Sequence, residues 1–241
     1  IGYNFNGSGN TANDNSGNGN NGTISGATRD TAGGSTQENK SNLSFDGTDD
    51  HVVFDYNNTN NHKFNDEDEV TLSAWVKFDS YQSGSIQHFV TKHSDYYFTL
   101  REDDDGNRTF DIRFNTDGGW VQVQSTTVPA ENTWYHVAAT YKREDGKEDN
   151  KFIIYVNGVA DQINNTIQSN YKLKGSNAPL VLGAKTQSFN YERLDGSVDE
   201  VALWRDALTA SEISAIYNSG VGLNAAVNSG NYTSAGDLAG Y

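Results

Sequence analysis

Two sets of residues have the types and spacing to do chemistry. In Asp46-Gly47-Thr48-Asp49-Asp50 the side chains of Asp46, Thr48 and Asp50 are expected to point one way, and Gly47 to leave its carbonyl accessible. Such hard-oxygen donors suit Ca²⁺. In Trp120-Val121-Gln122-Val123-Gln124, strand alternation sets Trp120, Gln122 and Gln124 on one face and the two valines on the other. Trp75 shares a face with Thr71, Ser73 and Lys77 in the same way. An aromatic ring beside amides and hydroxyls is what a saccharide needs: its C–H face stacks on the ring and its hydroxyls take directional hydrogen bonds. Trp120 and Gln122 are the expected ligand contacts, with Trp75, Tyr97, Arg113 and Tyr191, in the loop over 188–193, as candidate neighbours.

Catalysis has weaker support. Asp111 and Arg113 lie two apart on one strand, a spacing that predicts an ion pair more readily than a general acid. The five histidines show no His-x-x-x-His spacing for a metal, and no Gly-x-Ser-x-Gly elbow is present. The segment over 103–106 lacks the alternating ligands and the distal glutamate of an EF-hand, and the acidic run over 66–69 reads as a solvated face. With no cysteine, thiolate catalysis, disulfides and Cys-based zinc sites are all excluded.

These residues need a scaffold, and its period is two. In Val70-Thr71-Leu72-Ser73-Ala74-Trp75-Val76-Lys77-Phe78 every second residue is apolar, which predicts a half-buried strand. Similar patterns predict strands over 96–100, 110–114, 120–124, 134–141, 152–156, 180–182 and 198–204. Asn157-Gly158 predicts a type I′ hairpin, and a second hairpin turns at the Asp-Gly step Asp105-Gly106. One helix is signalled near the end: Thr209 as N-cap, Glu212 completing a capping box, Leu208 stapled to Ile213, and Gly220 as the stop, with the helix plugging an end or edge of the sandwich.

The chain has 241 residues, which one all-β domain can fill. Only 34% are hydrophobic, but 12% are aromatic, so each buried side chain removes a large area from water. The net charge of −15 argues against nucleic acid and anionic membrane as partners and favours cations. No apolar run approaches the roughly 20 residues that span a bilayer.

Several segments together resemble the laminin-G-like group of the concanavalin-A-like lectin/glucanase superfamily. They are Leu43-Ser44-Phe45-Asp46-Gly47, Val70 through Lys77, Trp134-Tyr135-His136-Val137-Ala138, Ile154-Tyr155-Val156-Asn157-Gly158, Gly196-Ser197-Val198-Asp199-Glu200 and Ala207 through Ile213. The resemblance implies an all-β, antiparallel two-sheet jelly-roll β-sandwich with one short C-terminal helix, filling residues 1–222. Residues 223–241 are then an extension or linker, and Leu238-Ala239-Gly240-Tyr241 echoes Ile1-Gly2-Tyr3 as the start of a tandem copy would. The resemblance further implies one structural calcium held by Asp46, Gly47 and Asp50 with Asp199 of a late strand, Asp14 closing the shell. It makes packing the stronger role for Trp75 and Trp134. The Glu-x-Asp-x-x-Glu strand pattern of related glucanases is missing. The expected function is therefore a non-catalytic, calcium-stabilised carbohydrate-binding or adhesion module of an extracellular or cell-surface protein, with a glycan or glycoprotein partner. The alternatives are a spacer or protein-interaction module and, behind it, a glycoside hydrolase of the same fold.

Overall fold

The computed structural model describes residues 5, 7–31, 41–54, 64, 69–81, 84–143, 151–164, 171–186 and 192–240. In chain order the first eight strands are β1 (Thr11–Ala12), β2 (Gly22–Ser25), β3 (Thr28–Asp30), β4 (Asn42–Asp46), β5 (His51–Phe54), β6 (Glu69–Phe78), β7 (Gln87–Lys92) and β8 (Tyr96–Glu102). Then follow β9 (Arg108–Thr116), β10 (Gly119–Gln124), β11 (Trp134–Lys142), β12 (Lys151–Val156), β13 (Val159–Asn164), β14 (Leu180–Leu182) and β15 (Asp195–Trp204). Helix α1 (Ala210–Tyr217) and β16 (Leu238–Gly240) complete the order.

The strands form two antiparallel sheets. The first runs β1-β2-β5-β14-β7-β8-β9-β10; the second runs β13-β12-β11-β6-β15-β4-β3, with β16 also pairing to β15. The predicted alternation decides which side chains meet between them. Val70, Leu72, Ala74, Val76 and Phe78 of β6 all join one buried core with Phe98, Leu100, Phe110, Ile112 and Phe114 of the first sheet. Phe78 meets Phe89 edge-on at 6.1 Å, and Phe114 meets Phe152 at 5.1 Å. Burial of each such ring contributes roughly 1.5–3 kcal/mol, so the aromatic content compensates for the low apolar fraction.

A second apolar layer covers the outer face of the second sheet. Ile213 and Ile216 of α1 pack with Ala138, Tyr155, Ala202 and Trp204 of the strands and with Ala225, Tyr232 and Leu238. Trp204 Nε1 donates to Tyr232 Oη at 2.9 Å, and Tyr232 Oη donates to the Ala225 carbonyl at 2.6 Å. The helix therefore lies over a face rather than plugging an end, because its apolar stripe matches outward-pointing residues of β11, β12 and β15. The capping box forms as predicted. The stop comes two residues early: Asn218 takes the left-handed conformation at φ 46°, which asparagine tolerates better than most residues. Residues 223–240, expected as an extension or linker, fold back into this layer.

Candidate functional site

The outer face of the first sheet is polar where strands β7 to β10 run side by side. Tyr97 pairs with Arg113, Arg113 with Gln122, and Trp120 with Asn115, so strand register alone gathers the four residues expected there. Val121 and Val123 turn inward to the core, leaving Trp120 and Gln122 outward. The Trp120 ring reaches across β9 and stacks on Tyr97, with centroids 4.9 Å apart and planes 17° from parallel. Trp120 is 46% exposed, unusual for so large an apolar side chain. Tyr97 Oη lies 3.1 Å from His93 Nδ1, which fixes the lower ring of the pair.

Beside this stack is a pocket of about 90 Å³ lined by Ile86, His88, Tyr97, Thr99, Arg101, Asp111, Arg113 and Lys185. At its floor Asp111 is fully buried and accepts from two guanidinium groups, Arg113 at 2.9 Å and Arg101 at 3.1 Å. The ion pair predicted from the Asp111–Arg113 spacing is present, with Arg101 from the adjacent strand as a further partner. Burial pushes the Asp111 carboxyl up to about 7, against the pull of Arg101. Lys185 pairs with Glu192 at 2.8 Å. Burial pushes the His88 imidazole down to about 3, with Lys185 and His93 adding to the shift, so it is neutral at ordinary pH. Its 3.7 Å approach to Glu192 is then no charged pair.

A second cluster occupies one end of the sandwich. The β2–β3, β4–β5 and β14–β15 connections each cross between the sheets. Asp46, Asp49 and Asp50 of the second connection each place a carboxylate oxygen within 4.8 Å of the others. Asp46 Oδ1 accepts from Thr48 N at 2.8 Å, and Asp50 Oδ2 accepts from Asp46 N at 2.9 Å. Burial pushes the Asp50 carboxyl up; the Asp46 N–H opposes this, and the charges of Asp46 and Asp49 reinforce it. From the third connection, buried Arg193 donates to the carbonyls of Asp49 and Asp50 at 3.3 and 3.4 Å.

Residues 46–214 match the laminin G family described as the concanavalin A-like lectin/glucanases superfamily, well over half of the chain. The chain belongs to this family. Its fold is similar to domain 4 of AbnA, a GH43 extracellular arabinanase from Geobacillus stearothermophilus solved with arabinotriose. The two share 17% identity at a TM-score of 0.56, covering 80% of this chain and 86% of that one. It is also similar to the ligand-binding domain of botulinum neurotoxin serotype D solved with N-acetylneuraminic acid, at 13% identity and a TM-score of 0.60, covering 83% of this chain and 46% of that one. A third likeness is to Trypanosoma rangeli sialidase, at 15% identity and a TM-score of 0.55, covering 85% of this chain and 30% of that one. Among curated proteins, none matches the sequence.

In this laminin-G-like chain, not every predicted residue reaches a site. Trp75 is 4% exposed on the opposite sheet, stacked on Tyr217 at 5.6 Å and 5.4 Å from His136, so it packs under α1 and lies away from Trp120. Tyr191 and residues 66–68 lie outside the described residues. Asp14 sits beyond the Gly22 end of β2, whereas Asp50 lies against Gly26 at the other end. Its oxygens accept from Ser16 N, Ser16 Oγ and Asn20 N, organising its own loop. Asp199 is also displaced: β15 pairs Asp195 with Asp46, and Asp199 lies four residues further on, roughly 13 Å along the strand. Its neighbour Val198 faces the core, which turns Asp199 to the helix-covered face beside Trp75. Sequence reasoning missed Asp49, Arg101, His88 and Lys185. The charge of Arg101 on the same parity as Tyr97 was a usable signal; for Lys185 nothing local pointed to the pocket.

Proposed function

We propose that this domain is a carbohydrate-binding module of an extracellular or cell-surface protein, that it holds its ligand on the outer face of the first sheet, and that calcium stabilises its loops. The observation that carries the reading is the exposed Trp120 ring, stacked on Tyr97 and flanked by Gln122 and Arg113. A flat ring braced from below, with amide and guanidinium donors around it, suits the apolar face and hydroxyl rim of a sugar. The arabinotriose and N-acetylneuraminic acid complexes of proteins with this fold support a glycan as the ligand class. Binding is favoured over hydrolysis because Asp111 is the one carboxylate among the described residues lining the pocket. It is bonded to two arginines, while retaining hydrolysis needs two carboxyls about 5–5.5 Å apart. No helix among the described residues is long and apolar enough to cross a membrane.

The calcium reading rests on Asp46, Asp49 and Asp50. Three carboxylates drawn together against one buried guanidinium leave two negative charges uncompensated, and their donors are the hard oxygens that Ca²⁺ prefers. A cation there would offset the burial, and the repulsion from Asp46 and Asp49 that adds to it, which raise the Asp50 carboxyl. These three residues, with the Gly47 turn between them, would hold it; Asp14 and Asp199 would not.

The test is a glycan array followed by calorimetry on wild type and Trp120→Ala. We expect Trp120→Ala to weaken the best hit at least about tenfold, as loss of an aromatic anchor does. Unchanged affinity would reject this face as the ligand site.

A further inference from the structure

The protein is strongly acidic, with 17 Lys and Arg against 32 Asp and Glu, yet three of the eight residues lining the pocket beside Trp120 are cations. Lys185 is paired with Glu192, whereas the two arginines keep donors unspent. Asp111 is shared by two guanidinium groups: Arg101 uses only Nη1 on it, and Arg113 uses Nε and Nη2. One carboxylate between two arginines leaves a net positive charge, and each arginine side chain is about a third exposed, so the free N–H edges open to the pocket. Because Asp111 is buried beneath them, it fixes where those edges point; planar guanidinium groups held in this way favour carboxylate and sulfate oxygens. A second, independent feature is His88. It is 3% exposed, its Nδ1 is 3.0 Å from Thr91 Oγ1, and its Nε2 has no hydrogen-bond partner although the residue lines the pocket. With the threonine hydroxyl donating to Nδ1, Nε2 carries the ring proton and is one more donor. The nearest acceptor, Glu192 Oε2, is 3.7 Å away and beyond hydrogen-bond reach; a buried donor without a partner costs stability, and an acceptor in the pocket would satisfy it.

We propose that the ligand is an acidic saccharide: its ring stacks on Trp120, and its anionic substituent, a carboxylate or a sulfate ester, enters the pocket formed by Arg101, Arg113, Lys185 and His88. The inference rests on the carbohydrate-binding reading and adds the ligand's charge to it. The pocket, at about 90 Å³, has room for such a substituent.

The experiment is an array in which each neutral oligosaccharide has a uronic- or sialic-acid counterpart and a sulfated counterpart, probed with wild type, Arg113→Gln, Lys185→Gln and Trp120→Ala. Acidic members should bind at least about tenfold more tightly than their neutral matches, as charge-assisted hydrogen bonds dictate. That preference should shrink as salt rises from about 50 to about 500 mM. Arg113→Gln should abolish the preference while Trp120→Ala weakens every member; the carboxylate and sulfate arms tell which anion fits. Lys185→Gln, which leaves the Asp111 pairs intact, should reduce the preference even if Arg113→Gln perturbs folding. Trp120-dependent binding with no preference for acidic members would overturn this inference and leave the carbohydrate reading standing. Binding to no member at all would overturn both.

Discussion

Gly26 shows how one residue shapes the acidic loop. Its φ is +78°, and a Cβ there would collide with Asp50 Oδ1. An alanine at this position must accept a left-handed backbone, which costs about 1–2 kcal/mol, and must also displace the carboxylate. Gly26→Ala is therefore expected to lower stability by more than about 1 kcal/mol and to weaken calcium binding, read by chemical denaturation and calorimetry. Full calcium affinity in a destabilised variant would detach Asp50 from the metal reading. Strand parity explains why Tyr97, Arg113, Trp120 and Gln122 were legible at this scale. Each alternates with a valine or phenylalanine whose inward direction is obvious from the sequence.

Helix α1 is held by one carboxylate. Glu212 Oε2 accepts from Thr209 N at 3.0 Å, and Oε1 accepts from Ser234 Oγ at 2.7 Å and from Thr233 N at 3.3 Å, so the helix start is tied to the returning C-terminal segment. Burial alone would raise this carboxyl, but the hydrogen bonds from Ser234, Thr209 and Thr233 prevail and hold it at about 2, below its ordinary 4.5. A depressed carboxyl contributes stability that is fully present above 4.5 and is lost as pH falls through about 2. Glu212→Gln should cost about 1–3 kcal/mol at neutral pH and flatten the acid limb of the melting-temperature profile between those two values. An unchanged acid limb would show that the charge of Glu212 contributes nothing. The capping box was readable from Thr209 and Glu212, whereas the partners at 233 and 234 were not, since they come from a return of the chain with no local signal.

At the scale of the whole molecule, the β14–β15 connection links the two clusters: Glu192 pairs with Lys185 at the pocket, and the next residue, Arg193, bonds the carbonyls of the acidic loop. Three inter-sheet connections converge at that end, so a cation on Asp46, Asp49 and Asp50 would tie both sheets together. With a Kd of about 10⁻⁴ M, typical of extracellular calcium sites, about 10 mM Ca²⁺ would add roughly 2.7 kcal/mol. For a domain of this size that is a rise in Tm of about 5–10 °C over the EDTA-treated protein, absent in Asp50→Asn. Equal Tm values with EDTA and with Ca²⁺ would remove the metal from the proposal.

The sequence by itself determined eight of the sixteen strands described, β6, β8 to β12, β14 and β15, because period-two alternation of bulky apolar residues fits a pleated strand with one face in the core. It also determined the hairpin at Asn157-Gly158, where φ values of 51° and 77° are ones these residues accept readily. It determined that Trp120 and Gln122 share a face. What it left to the tertiary structure was which outer faces would be covered. Trp75 and Trp120 look alike in local pattern, both opposite apolar neighbours, yet α1 and the returning segment seal one sheet and leave the other open. Alternation reports only the side of a strand, while the layer above it depends on contacts more than a hundred residues apart. The same holds for distance along a strand: Asp199 has the right residue type, but the register of β4 on β15 sets it roughly 13 Å from Asp46. Register follows from the pairing of whole strands, and no single motif encodes it.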